Sequence, residues 1–348
     1  MENSTELRSL AEFEERAKEK LSSDLYFSFY GDTNNGKVVE RNKFALERLL
    51  LCPNICKDVT NRNMELKLFK ESFPFPLGIS PTASHELVHP SGELATAKAA
   101  ESLGIPYVIS MFSNVAIENI VKSTVNGFHL AQIQFIKDKN ATFDLMKRFE
   151  RAGVKGFVIT IDMPVLHPNK PYSQKLRLKN PQPNSLRQIF ADDEMLIVNG
   201  SAFDGSYTWE DVKQFKQKTN LPVIVKGILT PQNAIEAINS GVSAIWISNH
   251  GGRQMSDCPP TVEALEIISP VVKRYGIPLF IDGGIRSGSD VLKCLALGAD
   301  MVFLGRPVIS GLVVNGIQGI IDTFHILTKD LDANMAMCET GEAVEASA

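Results

Sequence analysis

The side chains best able to do chemistry stand together in the run Ser248-Asn249-His250-Gly251-Gly252-Arg253-Gln254. An imidazole exchanges a proton near neutral pH. A guanidinium three residues further on offers a planar fork that fits a carboxylate. The two glycines between them let the backbone turn tightly and come close to a ligand. A base and an anion clamp on one turn suit an acid substrate that loses a proton. The run leaves an apolar stretch, SAIWIS (243–248), that reads as a buried strand.

Two further groups share this character. Asp282-Gly283-Gly284-Ile285-Arg286 precedes a helix opened by Ser287, and Gly305-Arg306 follows another apolar run. Amides freed by glycine, helix N-termini and two arginines form an anion pocket of the kind that takes a phosphate. Lys226 ends the apolar run 222–226, which buries its stem and presents its ammonium. It could form a Schiff base, pair with Asp282, or hold negative charge on a bound ring. No triphosphate-binding loop and no G-x-G-x-x-G after a first strand is present, which disfavours a nicotinamide enzyme. A phosphate pocket, a lysine and a His/Arg pair best suit a flavin mononucleotide with an acid substrate above it.

These residues need a scaffold that brings them to one place. From residue 76 onward, short apolar runs bounded by Gly or Pro recur at 76–80, 106–110, 128–133, 157–161, 222–226, 243–248, 278–282 and 301–305. Between most of them lie segments of helical period such as GELATAKAAESLG, TPQNAIEAINSG and GSDVLKCLALGA. Strands alternating with helices make parallel βαβ units, and eight of them make a closed (β/α)8 TIM barrel. Each run ends in groups able to bond or titrate: Ser80 with Pro81 and Thr82, Ser110, Gln132 and Gln134, Thr160 and Asp162, Lys226, Ser248 with His250, Asp282, and Gly305 with Arg306. That pattern marks the C-terminal face of the barrel as the site. The one long gap, 162–221, predicts a loop over the barrel mouth. Leu7, Leu10, Phe13, Ala17 and Leu21 predict an amphipathic helix over 5–21, and a second helical run starts at about Arg41. Between them the aromatics of YFSFYG cover one end of the core. The expectation is an α/β chain of one domain, residues 1–348, with a core at about 76–330, an N-terminal helical extension and a long loop after the fourth strand.

Bulk properties fit such a chain. It has 348 residues, 44% of them hydrophobic and 22% charged, with a net charge of -4 that offers no basic face to nucleic acid. Five scattered cysteines lack zinc-ligand spacing and read as reduced intracellular thiols, so no metal is expected. The N-terminus is too acidic and polar for a secretory or mitochondrial signal, and no apolar run approaches the ~18 residues that span a membrane. The C-terminal GEAVEASA lacks an S-K-L type peroxisomal address, so the expectation is cytoplasmic residence, with the peroxisome as the alternative.

The motifs Ser248 to Gln254, Lys226, Asp282 to Arg286 and Gly305 to Pro307, together with Pro81-Thr82-Ala83 and His89-Pro-x-Gly-Glu93, resemble those of the FMN-dependent 2-hydroxy-acid oxidases of the glycolate oxidase type. The resemblance runs from about residue 10 to 330. It implies oxidation of a 2-hydroxy acid to the 2-oxo acid with oxygen as acceptor, in a homotetramer. It further implies that His250 takes the substrate hydroxyl proton with Asp162 as its charge partner. Arg253 would clamp the carboxylate, and Lys226 would sit beside the flavin N1. Pro81, Thr82, Ala83, Ser110, Gln132 and Thr160 match positions lining the isoalloxazine ring. Ser248, Asp282, Gly283, Gly284, Arg286, Gly305 and Arg306 match positions around the rest of the cofactor.

The chain departs from that family on the substrate side. The family's Q-x-Y is Gln132-Ile133-Gln134 here, which puts Gln134 at the substrate. The family's D-x-P-x-x-G-x-R is Asp162-Met163-Pro164-Val165-Leu166-His167-Pro168-Asn169, so the second clamping arginine is Asn169. Phe112 stands where an indole is common, and Tyr26, Phe29 and Tyr30 compete for the N-terminal aromatic of the site. Lys170, Lys175 or Arg177 could compensate for the arginine. Three readings follow: an oxidase of altered substrate preference, an FMN-binding barrel of little turnover, or a flavin-free phosphate-sugar enzyme with Lys226 as a Schiff base. Electrons could pass to oxygen or to a protein acceptor.

Overall fold

The computed structural model describes residues 7–33, 36–56, 58–165, 186, 203–255 and 257–338. Three helices lead in. α1 (Leu10–Lys20) starts where Ser9 accepts from the Glu12 amide, and it buries Leu10, Phe13 and Ala17. That cap explains a start three residues past Leu7. α2 (Ser23–Tyr30) is capped by Ser22, and α3 (Lys37–Arg48) by the carboxylate of Asp32, which accepts from the amides of Gly36, Val38 and Val39 at 2.7–3.2 Å. A two-stranded antiparallel hairpin, β1 (Leu66–Leu68) and β2 (Glu71–Phe73), precedes the barrel.

The barrel runs β3 (Leu77–Ile79), α4 (Gly92–Leu103), β4 (Tyr107–Ile109), α5 (Ile117–Ser123), β5 (His129–Ile133), α6 (Lys139–Ala152) and β6 (Gly156–Thr160). It continues with α7 (Trp209–Gln217), β7 (Val223–Ile228), α8 (Pro231–Asn239), β8 (Ala244–Ile247), α9 (Thr261–Val272), β9 (Leu279–Asp282), α10 (Gly288–Ala296), β10 (Met301–Leu304) and α11 (Arg306–Cys338). Each strand from β3 to β10 pairs in parallel with the next, and β10 closes on β3. All eight expected strands are present, so the chain is a (β/α)8 TIM barrel.

Strand alternation explains how the site is built. Side chains two apart on a strand share a face. Val108, Leu130, Val158, Ile224, Trp246, Phe280 and Phe303 point inward and pack into one buried cluster, which Leu66, Leu68 and Phe73 of the hairpin join. Trp246 and Phe303 lie with ring centroids 4.0 Å apart. On β3 the same layer must be glycine, because a Cβ on Gly78 would stand 2.5 Å from the Phe303 ring. Two residues further along each strand come Ser80, Ser110, Gln132, Thr160, Lys226, Ser248, Asp282 and Gly305. The barrel therefore has an apolar floor and a polar upper layer.

Two expectations need correction. The gap 162–221 is not loop throughout: Thr208 and Asp211 form a capping box that starts α7, and Phe203 bridges to Ile136. The rest of the expected loop, with His167, Pro168, Asn169, Lys170, Lys175 and Arg177, lies outside the described residues. Second, α11 is long and apolar enough to cross a membrane by length and composition, although most of its apolar window is buried. It packs against α1, α4 and α10. Polar residues interrupt it at short intervals, so the sequence shows no continuous apolar run. Its path breaks at Asn315 and Gly316, whose φ is 57°.

Candidate active site

The upper layer is held by a buried ion pair. Lys226 Nζ lies 3.0 Å from Asp282 Oδ2 and donates to Ser248 Oγ at 2.6 Å, while Ser248 Oγ donates to Asp282 Oδ1 at 2.6 Å. Ser80 Oγ adds a longer bond of 3.4 Å to Asp282 Oδ2. Both charged side chains are almost wholly buried, at 5% and 11% exposure, so each fixes the other. Removing one partner of such a pair costs about 3–5 kcal/mol. Of the roles open to Lys226, pairing with Asp282 is the one this geometry makes. Its ammonium also lies 5.3 Å over the Trp246 ring, between floor and mouth.

His250 stands just past β8 at φ 55°, a strained conformation for a non-glycine residue, with its amide donating to Ser248 Oγ at 3.1 Å. Its Nδ1 lies 3.0 Å from Asp162 Oδ1, two residues past β6. A carboxylate on Nδ1 keeps the proton there and leaves Nε2 as the basic nitrogen. The 3-residue turn His250–Gly252 is pinned from outside by the N-terminal extension. Asn42 on α3 and Asn249 exchange amide bonds of 3.1 and 2.8 Å, and Thr33 donates to the Gly252 carbonyl through its amide at 2.9 Å and its Oγ1 at 3.1 Å. A Cβ on Gly252 would stand 2.6 Å from Val38 Cβ.

Three guanidiniums gather at the other side. Arg253 Nη1 donates to the carbonyls of Ser28 and Phe29, Arg306 donates to those of Phe29 and Gly31, and Arg286 Nε meets Glu14 at 3.2 Å. Desolvation pushes Arg306 down to about 9, and like charge from Arg253 and Arg286 adds to the shift. The three guanidiniums, with the carboxylates of Glu14 and Asp32 near Arg306, make a net positive cluster suited to an anion. Room for a ligand is present in the upper layer of the barrel: a Cβ on Gly305, at the inward position above β10, would have only Thr82 and Ser80 at 3.7 and 3.9 Å. These residues fit the phosphate and adjoining chain of FMN.

The helix after Arg286 does not contribute as expected. The amides of Gly288 and Ser289 donate to Asp330 on α11, and Asp290 takes those of Arg286 and Ser287. Carboxylates of the chain itself thus occupy the N-terminus of α10, and the guanidiniums carry the anion pocket. Asp330 lies some forty residues away in sequence, which hid this contact.

The remaining sequence-derived positions line the same mouth. Gln132 Oε1 accepts from Ser110 Oγ at 3.3 Å and from the Met111 amide at 3.2 Å. Gln134 is buried and donates through Nε2 to the Met163 carbonyl at 2.6 Å, next to Asp162. Pro81, Thr82 and Ala83 follow β3, and Thr82 Oγ1 lies 2.6 Å from His85 Nε2. His85 is held neutral by burial, which lowers its pKa. Glu93 of the His-Pro-x-Gly-Glu run accepts from the amides of His85, Asn114 and Val115, so it ties the loops after β3 and β4 together. Phe112 meets Phe203 edge-on at 5.5 Å. Of the competing aromatics, Tyr30 shares a 2.7 Å bond with Ser310 and stacks on Tyr26, while Phe29 gives its carbonyl. The partners Glu14, Ser28, Asp32 and Asn42 were missed by sequence reasoning. Only Asn42 left a signal, as a polar residue on the buried face of a helix.

A closed barrel with a buried lysine, a His/Asp pair and three guanidiniums at its C-terminal mouth suits a flavin-dependent oxidoreductase. The comparisons with known proteins agree: the chain belongs to the FMN-dependent dehydrogenase family, whose model matches residues 17–346. It is 37% identical over 335 residues to the peroxisomal (S)-2-hydroxyacid oxidase GLO3 of Arabidopsis thaliana, covering 94% of this chain and 91% of that protein. Glycolate oxidase 2 of Oryza sativa subsp. indica is also 37% identical, over 341 residues, with the same coverage. Among solved structures, mandelate oxidase with (S)-4-hydroxymandelic acid superposes with a TM-score of 0.89 at 31% identity, covering 98% of this chain and 97% of that one. FMN is the cofactor of this family, and its 2-hydroxy-acid oxidase members are the relatives this chain matches.

Proposed function

We propose that this protein oxidises a 2-hydroxy acid to the 2-oxo acid with oxygen as the acceptor, and that its substrate preference differs from that of glycolate oxidase. The observation that carries the reading is the 3.0 Å contact between His250 Nδ1 and Asp162 at the barrel mouth. With Nδ1 so engaged, His250 Nε2 takes the proton of the substrate hydroxyl, and Asp162 stabilises the imidazolium that forms. Arg253 binds the carboxylate, oriented by the Ser28 and Phe29 carbonyls on its Nη1.

FMN supplies the two-electron acceptor when bound. Arg286 and Arg306 would hold its phosphate, with Gly305 leaving room beside it, while the missing Cβ atoms of Gly283 and Gly284 make way for Thr261 and Asn42. Lys226, fixed by Asp282 and Ser248, would set positive charge beside the bound ring. Pro81, Thr82, Ala83, Ser110, Gln132 and Thr160 line that ring. Residues 1–348 make one FMN-binding domain, and the assembly is a homotetramer.

Anaerobic mixing of purified holoprotein with a panel of 2-hydroxy acids tests the reading. Bleaching of the flavin by at least one acid is expected, together with loss of bleaching in His250→Ala while FMN stays bound. Unchanged reduction in that variant would remove the base assignment. No reduction by any acid would leave the barrel as an FMN-binding protein of little turnover.

A further inference from the structure

His85 lies in the turn after β3 with no exposed surface. Its Nε2 stands 2.6 Å from Thr82 Oγ1, and its Nδ1 stands 3.0 Å from Thr96 Oγ1 on α4. Its backbone amide donates to Glu93 Oε1 at 3.1 Å, so the residue is tied at both ends. Burial keeps the imidazole neutral. A neutral imidazole donates from one nitrogen and accepts at the other. The two threonines therefore play opposite parts: one donates to the ring and the other accepts from it.

Thr96 decides which. It is wholly buried, and its hydroxyl has no other partner among the described residues. Were it to accept from Nδ1–H, its own hydrogen would be left buried and unpaired. Thr96 thus donates to Nδ1, and the network sets the tautomer. Nε2 carries the proton and donates to Thr82 Oγ1. The hydroxyl hydrogen of Thr82 is not used by His85, and it has no other partner among the described residues. Thr82, unlike the other two, is only half-buried. Its methyl borders the room beside Gly305, where an added Cβ would lie 3.7 Å from Thr82 Cγ2. The hydroxyl shares its carbon with that methyl, so the unused O–H stands at the edge of the same room.

We propose that His85 is a positioning residue for the flavin: backed by Thr96, it fixes the Thr82 hydroxyl as a hydrogen-bond donor to the bound isoalloxazine ring. With the opposite tautomer Thr82 would give its hydrogen to His85 and offer the ring only lone pairs. Oxidised flavin carries carbonyl oxygens and bare ring nitrogens, which an O–H suits and a lone pair repels. The assignment rests on FMN as the cofactor and needs no turnover.

Titration of apoprotein with FMN, read by fluorescence quenching, tests this together with the visible spectrum of each holoprotein. Thr82→Val keeps the shape and removes the hydroxyl. It should raise the FMN Kd roughly three- to tenfold, the effect of one hydrogen bond, and shift the visible bands. His85→Leu should do the same by releasing that hydroxyl. The double variant should bind FMN no more weakly than Thr82→Val alone, because His85 acts through Thr82. His85→Gln keeps an N–H near the place of Nε2 and should restore the native Kd and bands. A merely structural His85 would lower the melting temperature and weaken FMN equally in both backgrounds. Additive losses in the double variant, or His85→Gln no better than His85→Leu, overturn the proposal. So does native affinity with a native spectrum in Thr82→Val, an arm that holds even where His85→Leu fails to fold. If these variants behave as expected while no 2-hydroxy acid reduces the flavin, the oxidase reading fails and the role of His85 stands.

Discussion

The turn that carries His250 and Arg253 can be tested through the glycine between them. Gly252 has φ +76°, and a Cβ there would lie 2.6 Å from Val38 Cβ and 3.1 Å from Asp32 Cβ. Gly241 has nearly the same backbone angle, φ +77°, with nothing within 4 Å of the added carbon. Changing each to alanine separates backbone strain from collision. Holding a non-glycine residue in the left-handed region costs roughly 1–2 kcal/mol, which both variants share. Forcing a methyl into a packed contact adds roughly 1–3 kcal/mol, and Gly252→Ala alone incurs it. At about 2 °C per kcal/mol for a domain of this size, Gly252→Ala should melt roughly 2–6 °C below Gly241→Ala. Its effect on chemistry should be larger. Pushing α3 away from the turn displaces the imidazole, and misplacement by about 1 Å costs on the order of a hundredfold in rate. Stopped-flow flavin reduction with saturating substrate reads this, alongside thermal melts of both holoproteins. Equal losses in the two variants would show that the N-terminal extension does not set the position of His250.

Arg306→Gln should raise the FMN dissociation constant roughly ten- to a hundredfold in a fluorescence-quenching titration, because one charged contact to phosphate is lost. His129, the first residue of β5, bonds Thr124 Oγ1 at 2.7 Å, and burial lowers its pKa from 6.5 to about 4. The unfolded chain therefore takes up this proton first. Stability is full above pH 6.5 and falls as the pH drops toward 4, by up to roughly 3 kcal/mol. Urea melts at pH 7 and pH 4.5 should show His129→Phe losing less over this interval than the native chain.

The barrel was legible because its strands are punctuated by Gly and Pro and alternate with helical segments. The site was legible for the same reason, since a polar residue two places beyond a floor residue must share its face. Ser110 follows Val108, Lys226 follows Ile224, and Asp282 follows Phe280 in this way. The hairpin β1–β2 gave no such signal. Its turn residues Phe69 and Lys70 both adopt positive φ, at 52° and 68°, without the glycine or asparagine that marks such turns. α2 was hidden because SDLYFSFY is rich in aromatics, which favour strands as readily as helices. What no local pattern could reveal were the partners supplied from a distance. Glu14, Asn42 and the carbonyls of residues 28–31 meet Arg286, Asn249 and Arg306 across more than two hundred residues.

Those distant partners bear on how the protein is made. During synthesis the segment around Glu14 and Phe29 is among the first to emerge, yet the arginines it serves emerge last. Until Arg253, Arg286 and Arg306 have been released, its carbonyls and carboxylate lack the partners they hold in the finished fold. Contacts of such long range form slowly, and the waiting chain exposes apolar surface meanwhile. The anion pocket is thus assembled only by a finished chain, and its cofactor becomes a ligand of the completed fold alone, a reward for closure that no nascent fragment can claim.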